Sequence, residues 1–388
     1  MDERRVSFLK FAYRTFGVCA SVAILTSCRG QSPIPAGAVS SAARTPQVPQ
    51  WQATRTAHAA CSQDRPGEPT CLALIINAKQ QPNVAGWPPA DLQARYELPS
   101  KLKGNGRIVA IVDIYDNPKV AADLAVYRKH FGLGPAKFTK YNQYGQTKNY
   151  PDGSTSWGVE IDLDAQMVSA ACPKCTIDLV EASAAAPGPL DTAEAEAVKL
   201  GAHIVSNSWI CYGSLTCVNE SDFAKPGVTY LAAAGDRGLE QPGAPMAFES
   251  VASIGGTVLS KAGAGYRETG WSGSGGGCVT AVLKPSWQHD KICSWRLTND
   301  ASAVAWNVAV YDSYGYRGWI TVGGTSISTP LLAGAFALAG NGGKQEGGRT
   351  FWLASHHQGL YNLCGLGCLF GQYSFGIGWG SPDGIGAF

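Results

Sequence analysis

The chain has 388 residues, 45% of them hydrophobic and 15% charged, with 31 Lys and Arg against 29 Asp and Glu for a formal charge of +2. Globular chains carry about 25% charged residues, so this surface leans on neutral polar groups; near-neutrality argues against a nucleic-acid binder, and 47 Gly with 22 Pro leave little room for coiled coil. Past the N-terminus no apolar run approaches the ~20 residues that span a bilayer as a helix, and the length suits one large α/β domain or two small ones.

Arg4, Arg5, Lys10 and Arg14 precede the apolar stretch Phe16 to Leu25, the pattern of a signal peptide. It ends in Leu25-Thr26-Ser27-Cys28, which resembles a bacterial lipobox, where the Cys is lipidated and becomes the first residue; an ordinary signal peptide cleaved elsewhere is the other reading. Residues 1–27 are therefore expected to be a lipoprotein-type signal peptide, and Cys28 a lipid anchor on a bacterial membrane facing the periplasm or the outside. Removing them leaves a formally neutral chain of 27 basic and 27 acidic residues. Residues 28–56, rich in Pro, Ala and Ser, read as a linker. Residues 57–86 form an N-terminal extension, and residues 87–388 the main domain.

Setting aside Cys19 and Cys28, ten cysteines fall into neighbouring pairs: Cys61/Cys71, Cys172/Cys175, Cys211/Cys217, Cys278/Cys293 and Cys364/Cys368. An even number in an exported chain favours disulfides, although spacing does not fix the connectivity. Cys172-Pro173-Lys174-Cys175 is also compatible with a redox or zinc motif. It follows a helix rather than opening one, and no second CxxC or His pair completes a zinc site.

From about residue 100 the chain alternates strands and helices. Arg107–Ile114 is a buried strand, Lys119–Phe131 a helix, Ser156–Ala171 a helix, Thr176–Val180 a strand and Thr192–Leu200 a helix. His203–Ser206, Val228–Ala233 and Val251–Ile254 are further strands, and Gly323-Gly324-Thr325-Ser326 leads into an apolar helix over Pro330–Ala339. This alternation predicts a mainly parallel sheet with helices on both faces. Ligands of such sheets bind outside the carboxyl ends of the strands.

Three motifs carry chemistry. In Gly323-Gly324-Thr325-Ser326-Ile327-Ser328-Thr329-Pro330 a tight turn would expose a hydroxyl at a helix N-terminus, which makes Ser326 the candidate nucleophile. None of the six histidines, His58, His130, His203, His289, His356 and His357, sits in a context suited to a Ser-His-Asp triad. The helix around residue 160 instead offers Glu160 and Asp164, four apart and so on one face, with Asp162 pointing elsewhere. Their apolar neighbours predict burial and a raised pKa on one member. Ala234-Gly235-Asp236 closes a strand, and a protonated Asp236 could donate to a developing oxyanion. Asp113 and Asp116 are expected to shape the carboxyl end of the first parallel strand.

Glu160-x3-Asp164, Ala-Gly-Asp236 and Gly-Gly-Thr-Ser326 together resemble the sedolisins, the serine-carboxyl peptidases. Further similar stretches are WPPADLQARYELPS, IVSNSW, SIGGT, GWSGSGGGC and VGGTSISTPLLAG, and the resemblance covers roughly residues 87 to 388. It implies a subtilisin-like α/β fold in a single large catalytic domain and endopeptidase cleavage of protein or peptide substrates at acidic pH. Ser326 would be the nucleophile, Glu160 its general base, Asp164 the acid that shares a proton with Glu160, and Asp236 the oxyanion donor. A monomer with no nucleic-acid partner is expected. Four departures stand out: no large pro-domain precedes the similarity, position 234 is Ala, Ile210 and Cys211 follow IVSNSW where the family has Gly, and the C-terminal stretch offers Asn362 and Tyr373-Ser374 where calcium-binding Asp is expected. The calcium site reads as degraded, so no cofactor is assigned. The alternative function is a non-catalytic sedolisin-like domain that binds peptides or a protein partner at the cell surface.

Overall fold

The computed structural model describes residues 57–388 apart from 62–64, 66, 78–83, 240–241, 341–346 and 365–367. The expected signal peptide, Cys28 and the linker over 28–56 lie outside the described residues. Among the described residues, no helix is long and apolar enough to cross a membrane.

Three short strands come first: β1 (His58–Ala59), β2 (Thr70–Cys71) and β3 (Leu74–Asn77). Helix α1 (Pro89–Arg95) follows, then β4 (Ile108–Ile114), α2 (Val120–His130), β5 (Lys137–Asn142), α3 (Thr155–Ala171), β6 (Thr176–Ala182), α4 (Pro187–Lys199), β7 (Ile204–Asn207), β8 (Trp209–Tyr212) and β9 (Thr229–Ala233). The last part runs β10 (Gly243–Ala244), β11 (Val251–Ala262), β12 (Gly265–Gly270), β13 (Gly277–Leu283), β14 (Trp295–Thr298), β15 (Ala301–Val304), β16 (Trp306–Asp312), β17 (Gly318–Gly323) and α5 (Thr325–Ala339).

The central sheet has eight strands in the order β12-β11-β9-β7-β4-β6-β5, with β15 also paired to β11. All its pairings are parallel except the hairpin of β11 and β12. Period-two alternation in β4 divides two cores. Val109 and Ile111 pack into the cluster that contains α3 and α5. Ala110, Val112 and Ile114 pack into the cluster with Leu190, Ala193 and Ala197 of α4. The mainly parallel sheet with helices on both faces is therefore observed.

The expected strands and helices are present, with three adjustments. Helix α4 starts at Pro187, five residues before the expected Thr192, because Pro occupies its first turn, where no amide bond is needed. Strand β11 continues from Ile254 to Ala262, since its far half pairs with β12 rather than entering the parallel core. Helix α5 begins at Thr325, so Pro330 lies inside it and not in its first turn. Pro330 has no amide hydrogen for the Ser326 carbonyl, and the Ser208 hydroxyl donates to that carbonyl at 3.5 Å instead.

Helix α3 is buried all round from Trp157 to Ala171. Its N-terminus is capped by Ser154 Oγ, which accepts from Trp157 N at 3.3 Å. It packs closely on α5, where a Cβ at Gly334 would lie 2.5 Å from the Ala171 Cβ. These two helices carry the Glu160/Asp164 and Ser326 motifs, so their close contact sets the distance between them.

All five neighbouring cysteine pairs are disulfides: Cys61–Cys71, Cys172–Cys175, Cys211–Cys217, Cys278–Cys293 and Cys364–Cys368. Cys172 directly follows α3, so the CxxC motif is a staple at a helix end. Beyond the sheet, Arg296 and Asp300 form a fully buried pair, with Arg296 Nη1 and Nη2 donating to the Asp300 carboxylate at 2.9 and 2.6 Å. Asp300 also accepts from Ser253 N and Trp352 Nε1, both at 2.8 Å, and so ties β11 to the C-terminal region. Removing one member leaves a buried charge unpaired. Asp300→Ala is expected to lower unfolding free energy by about 3–5 kcal/mol in urea titrations, and a change below about 1 kcal/mol would refute that role.

Candidate active site

The four expected site residues come from three elements that converge at the carboxyl ends of the parallel strands. Glu160 and Asp164 project from α3, Ser326 opens α5, and Asp236 follows β9. Glu160, Asp164 and Ser326 are fully buried, and Asp236 is 8% exposed. Asp162 turns away as expected and accepts from Asn117 Nδ2 at 2.8 Å.

Glu160 Oε2 accepts backbone amide hydrogens from Leu72 at 2.8 Å and Ala73 at 2.7 Å. Burial and then the Asp113 carboxylate push the Glu160 pKa well up, partly offset by the Ser326 hydroxyl and the two amides. The Ser326 hydroxyl is near enough to act on Glu160, yet it donates to Ser208 O at 3.3 Å and leaves Glu160 Oε1 without a partner. Asp164 is also raised well above the ordinary carboxylate range, by burial first and then by Asp113 and Glu160. The side chains of Glu160 and Ser208 both lie within its reach, with opposite effects: Ser208 favours the carboxylate, Glu160 the protonated acid.

Asp236 is held from one side. Thr325 N and Thr325 Oγ1 both donate to its Oδ1 at 2.8 Å, while Oδ2 has no partner. Burial lifts its pKa from the ordinary 3.8 to about 7 in spite of the Thr325 donors. Its amide donates to the Tyr212 hydroxyl at 2.7 Å, and the Arg237 guanidinium lies 4.1 Å from the centre of the Tyr212 ring. The preceding Gly235 O accepts from Gly275 N at 2.8 Å, which gives the glycine-rich GWSGSGGGC stretch a bracing role.

Two features go beyond the sequence expectation. Asp116 does brace the strand end, in an ion pair with Lys140. Asp113, however, has the same parity as Val109 and Ile111 and faces α3, where it acts on both Glu160 and Asp164; burial raises its own pKa to about 7. That parity within a parallel strand was the available signal. The second feature is the segment over the site. Strand β2 pairs antiparallel with β8, placing Thr70 opposite Ile210 and Cys71 opposite Trp209, and β3 pairs antiparallel with β17. Ile210 is fully buried there. Between them Leu72 and Ala73 lie against Glu160, and a Cβ at Gly324, whose φ is +113°, would lie 1.9 Å from Leu72 O and 2.8 Å from Asp236 Oδ2.

The described histidines are engaged elsewhere or exposed: His203 with Gly227 O, His356 with Ala387 O, His357 with Phe351 O, and His130 against Trp319. In the C-terminal stretch that holds Asn362 and Tyr373-Ser374, Asn362 Oδ1 accepts from Cys364 N at 3.2 Å and the Tyr373 hydroxyl donates to Thr298 O at 2.9 Å. These groups serve the loop itself and do not fit a calcium cage. A separate buried group, Asp123, Asp162 and Asp312, brings three carboxylates together. Ser313 N and Gly315 N donate to Asp123 and Asp312 at 2.9 and 2.6 Å.

An acid whose folded pKa exceeds its unfolded one takes up a proton on folding. Its stabilising effect is complete below the unfolded value and is lost as pH rises through the folded one. For Asp236 and Asp113 that window runs from 3.8 to about 7. The melting temperature is therefore expected to fall by at least about 5 °C between pH 4 and pH 8, and Asp236→Asn to flatten the profile. A melting temperature that rises over this interval would contradict the burial of protonated acids.

No profile of a known protein family matches the chain. It is 30% identical over 295 residues to kumamolisin from Bacillus sp. (strain MN-32), an alignment covering 65% of this chain and 51% of that protein. The chain thus spans about half the length of the curated relative it matches. Among solved structures it resembles the Pseudomonas sedolisin, a serine-carboxyl proteinase complexed with two molecules of pseudo-iodotyrostatin, with a TM-score of 0.67 and 22% identity over 78% of this chain and 96% of that one. It also resembles fervidolysin from Fervidobacterium pennivorans, a keratinolytic enzyme related to subtilisin, with a TM-score of 0.50 and 15% identity over 77% of this chain and 45% of that one. With this relative in sequence and these folds in structure, the chain is similar to kumamolisin and has the subtilisin-like fold.

Proposed function

We propose that the chain is a serine-carboxyl endopeptidase that hydrolyses peptide bonds in acidic medium. The observation that carries this reading is the convergence of Ser326 with raised-pKa Glu160 and Asp164 on one side and a singly anchored Asp236 on the other, with no histidine taking part. Glu160 Oε1 would take the proton of the Ser326 hydroxyl as that oxygen attacks a carbonyl carbon. Asp164 would share a proton with Glu160, and Asp113 would extend the shared-proton group. Asp236 Oδ2, protonated below about pH 7, would donate to the oxygen that becomes negative. The leaving nitrogen would recover its proton from Glu160, and water would release the acyl group by the same steps in reverse.

Five disulfides fit an oxidising compartment. We place the enzyme outside the cytoplasm, with Cys28 as its lipid tether.

Hydrolysis of an unfolded protein is expected to be maximal below pH 5 and to fade as pH passes about 7, where Asp236 loses its proton. Ser326→Ala and Glu160→Gln should remove essentially all turnover, and Asp236→Ala should lower kcat by about 100- to 1,000-fold, each with unchanged circular dichroism. Undiminished hydrolysis by Ser326→Ala would overturn the proposal.

A further inference from the structure

We propose that Tyr212 is a positioning residue for the hydrolysis assigned above: its hydroxyl fixes the main chain of Asp236 and so aims the unpartnered carboxyl oxygen at the developing oxyanion. The inference rests on the peptidase reading and adds to it a residue that acts through Asp236 rather than on the substrate. The Asp236 amide donates to the Tyr212 hydroxyl at 2.7 Å, across 24 residues of sequence. Tyr212 is 6% exposed and Asp236 8%, so the bond is shielded from water that would compete for the amide.

An oxyanion donor is effective when it already points at the place where charge develops. Thr325 N and Thr325 Oγ1 fix Asp236 Oδ1, both at 2.8 Å, and leave Oδ2 unpartnered. Held at Oδ1 alone, the carboxyl could still swing about that oxygen. Fixing the Asp236 amide as well defines where its Cα lies, and the two anchors together leave one direction for Oδ2. The preceding residue is held by other groups: Gly235 N donates to Thr325 Oγ1 at 3.2 Å, and Gly235 O accepts from Gly275 N at 2.8 Å. Tyr212 supplies the anchor that these contacts do not, at the main-chain nitrogen of Asp236 itself.

Tyr212 is itself firmly held. It ends β8, which pairs with β10 so that Gly243 lies opposite Tyr212. Its ring packs on Gly235, whose φ is +97° and where a Cβ would lie 3.0 Å from Tyr212 Cε1 and 3.1 Å from its hydroxyl oxygen. The Arg237 guanidinium sits 4.1 Å from the ring centre, and the Cys211–Cys217 bridge closes the turn that follows the strand. Asp236 and Arg237 are the ionisable groups that act on the Tyr212 hydroxyl, and burial pushes its pKa up. The hydroxyl therefore stays neutral where the surrounding acids titrate, and the anchor holds at every working pH.

The test measures kcat and KM of the full-length chain on an unstructured peptide from pH 3 to pH 8. It compares the wild type with Tyr212→Phe, Arg237→Ala and Asp236→Ala, and with Asp236→Ala combined with each of the other two. Tyr212→Phe is expected to lower kcat about tenfold with KM unchanged, since the bond that positions a donor is lost while substrate contacts remain. Arg237→Ala, an exposed change that loosens the ring, should lower kcat about two- to fivefold. In the Asp236→Ala background neither change should lower kcat further, because nothing is left to position. The loss of activity near pH 7 should stay in place in Tyr212→Phe, because burial and Thr325 set that pKa. Wild-type kcat in Tyr212→Phe, a raised KM alone, a displaced alkaline limb or a loss that multiplies with Asp236→Ala overturns the inference and leaves the peptidase reading standing. Should Tyr212→Phe fail to fold, Arg237→Ala decides by the same criteria. A wild type that hydrolyses nothing at any pH overturns both.

Discussion

Asp113, Glu160 and Asp164 are wholly buried within one another's electrostatic reach, and the charges that act on Glu160 and Asp164 are those of other carboxylates. Two unit charges 4 Å apart repel by about 4 kcal/mol at an effective dielectric of 20, and each desolvated carboxylate adds several more. Such a group folds only if it retains protons. The same protons make the proposed chemistry an acid one. A hydroxyl beside a carboxylate whose pKa burial has raised meets a stronger base than a solvated carboxylate offers, while Asp236 stays protonated and able to donate. Stability and the proposed reactivity therefore draw on a single set of titrating groups, and both are expected to decline as pH rises.

The fold holds those groups with backbone rather than with countercharges. Helix α3 places two carboxyls four residues apart on one face, and its burial on every side removes the water that would lower their pKa. Helix α5 begins one residue before Ser326, and Pro330 one turn later frees the Ser326 carbonyl, which Ser208 then satisfies. Thr325 spends both its amide and its hydroxyl on one oxygen of Asp236, which leaves the other oxygen aimed at the site. With φ at +113° and Leu72 O where a side chain would begin, Gly324 admits no other residue.

Most of the architecture was legible because the parallel strands are short apolar runs bounded by turns, and because helix spacing pairs Glu160 with Asp164. The neighbouring cysteine pairs were legible for the same local reason. What escaped was long-range. The β16–β17 hairpin and strand β8 act through partners far off in sequence, and nothing local marks residues 70–77 as the strand that covers the site. The role of Asp113 depends on which face of β4 turns toward α3, a matter of parity and packing. The helix boundary at Thr325 was misplaced because Pro330 looks like a helix opener, yet buried hydroxyls at Ser208, Ser328 and Thr329 satisfy the carbonyls around it.

The covering segment also bears on how the site discriminates. Without β2 and β3, strands β8 and β17 would each show an open row of amides and carbonyls beside Ser326, the arrangement that natural sheets cap. Main-chain pairing accepts any extended sequence, so selectivity has to come from side-chain pockets, and the one filled here holds a leucine. A segment attached to the same chain competes at an effective concentration on the order of millimolar. A free peptide at micromolar concentration is then outcompeted by roughly a thousandfold, whatever its sequence. On the proposed peptidase reading, an outside peptide would have to displace this segment before it could pair with β8 and β17.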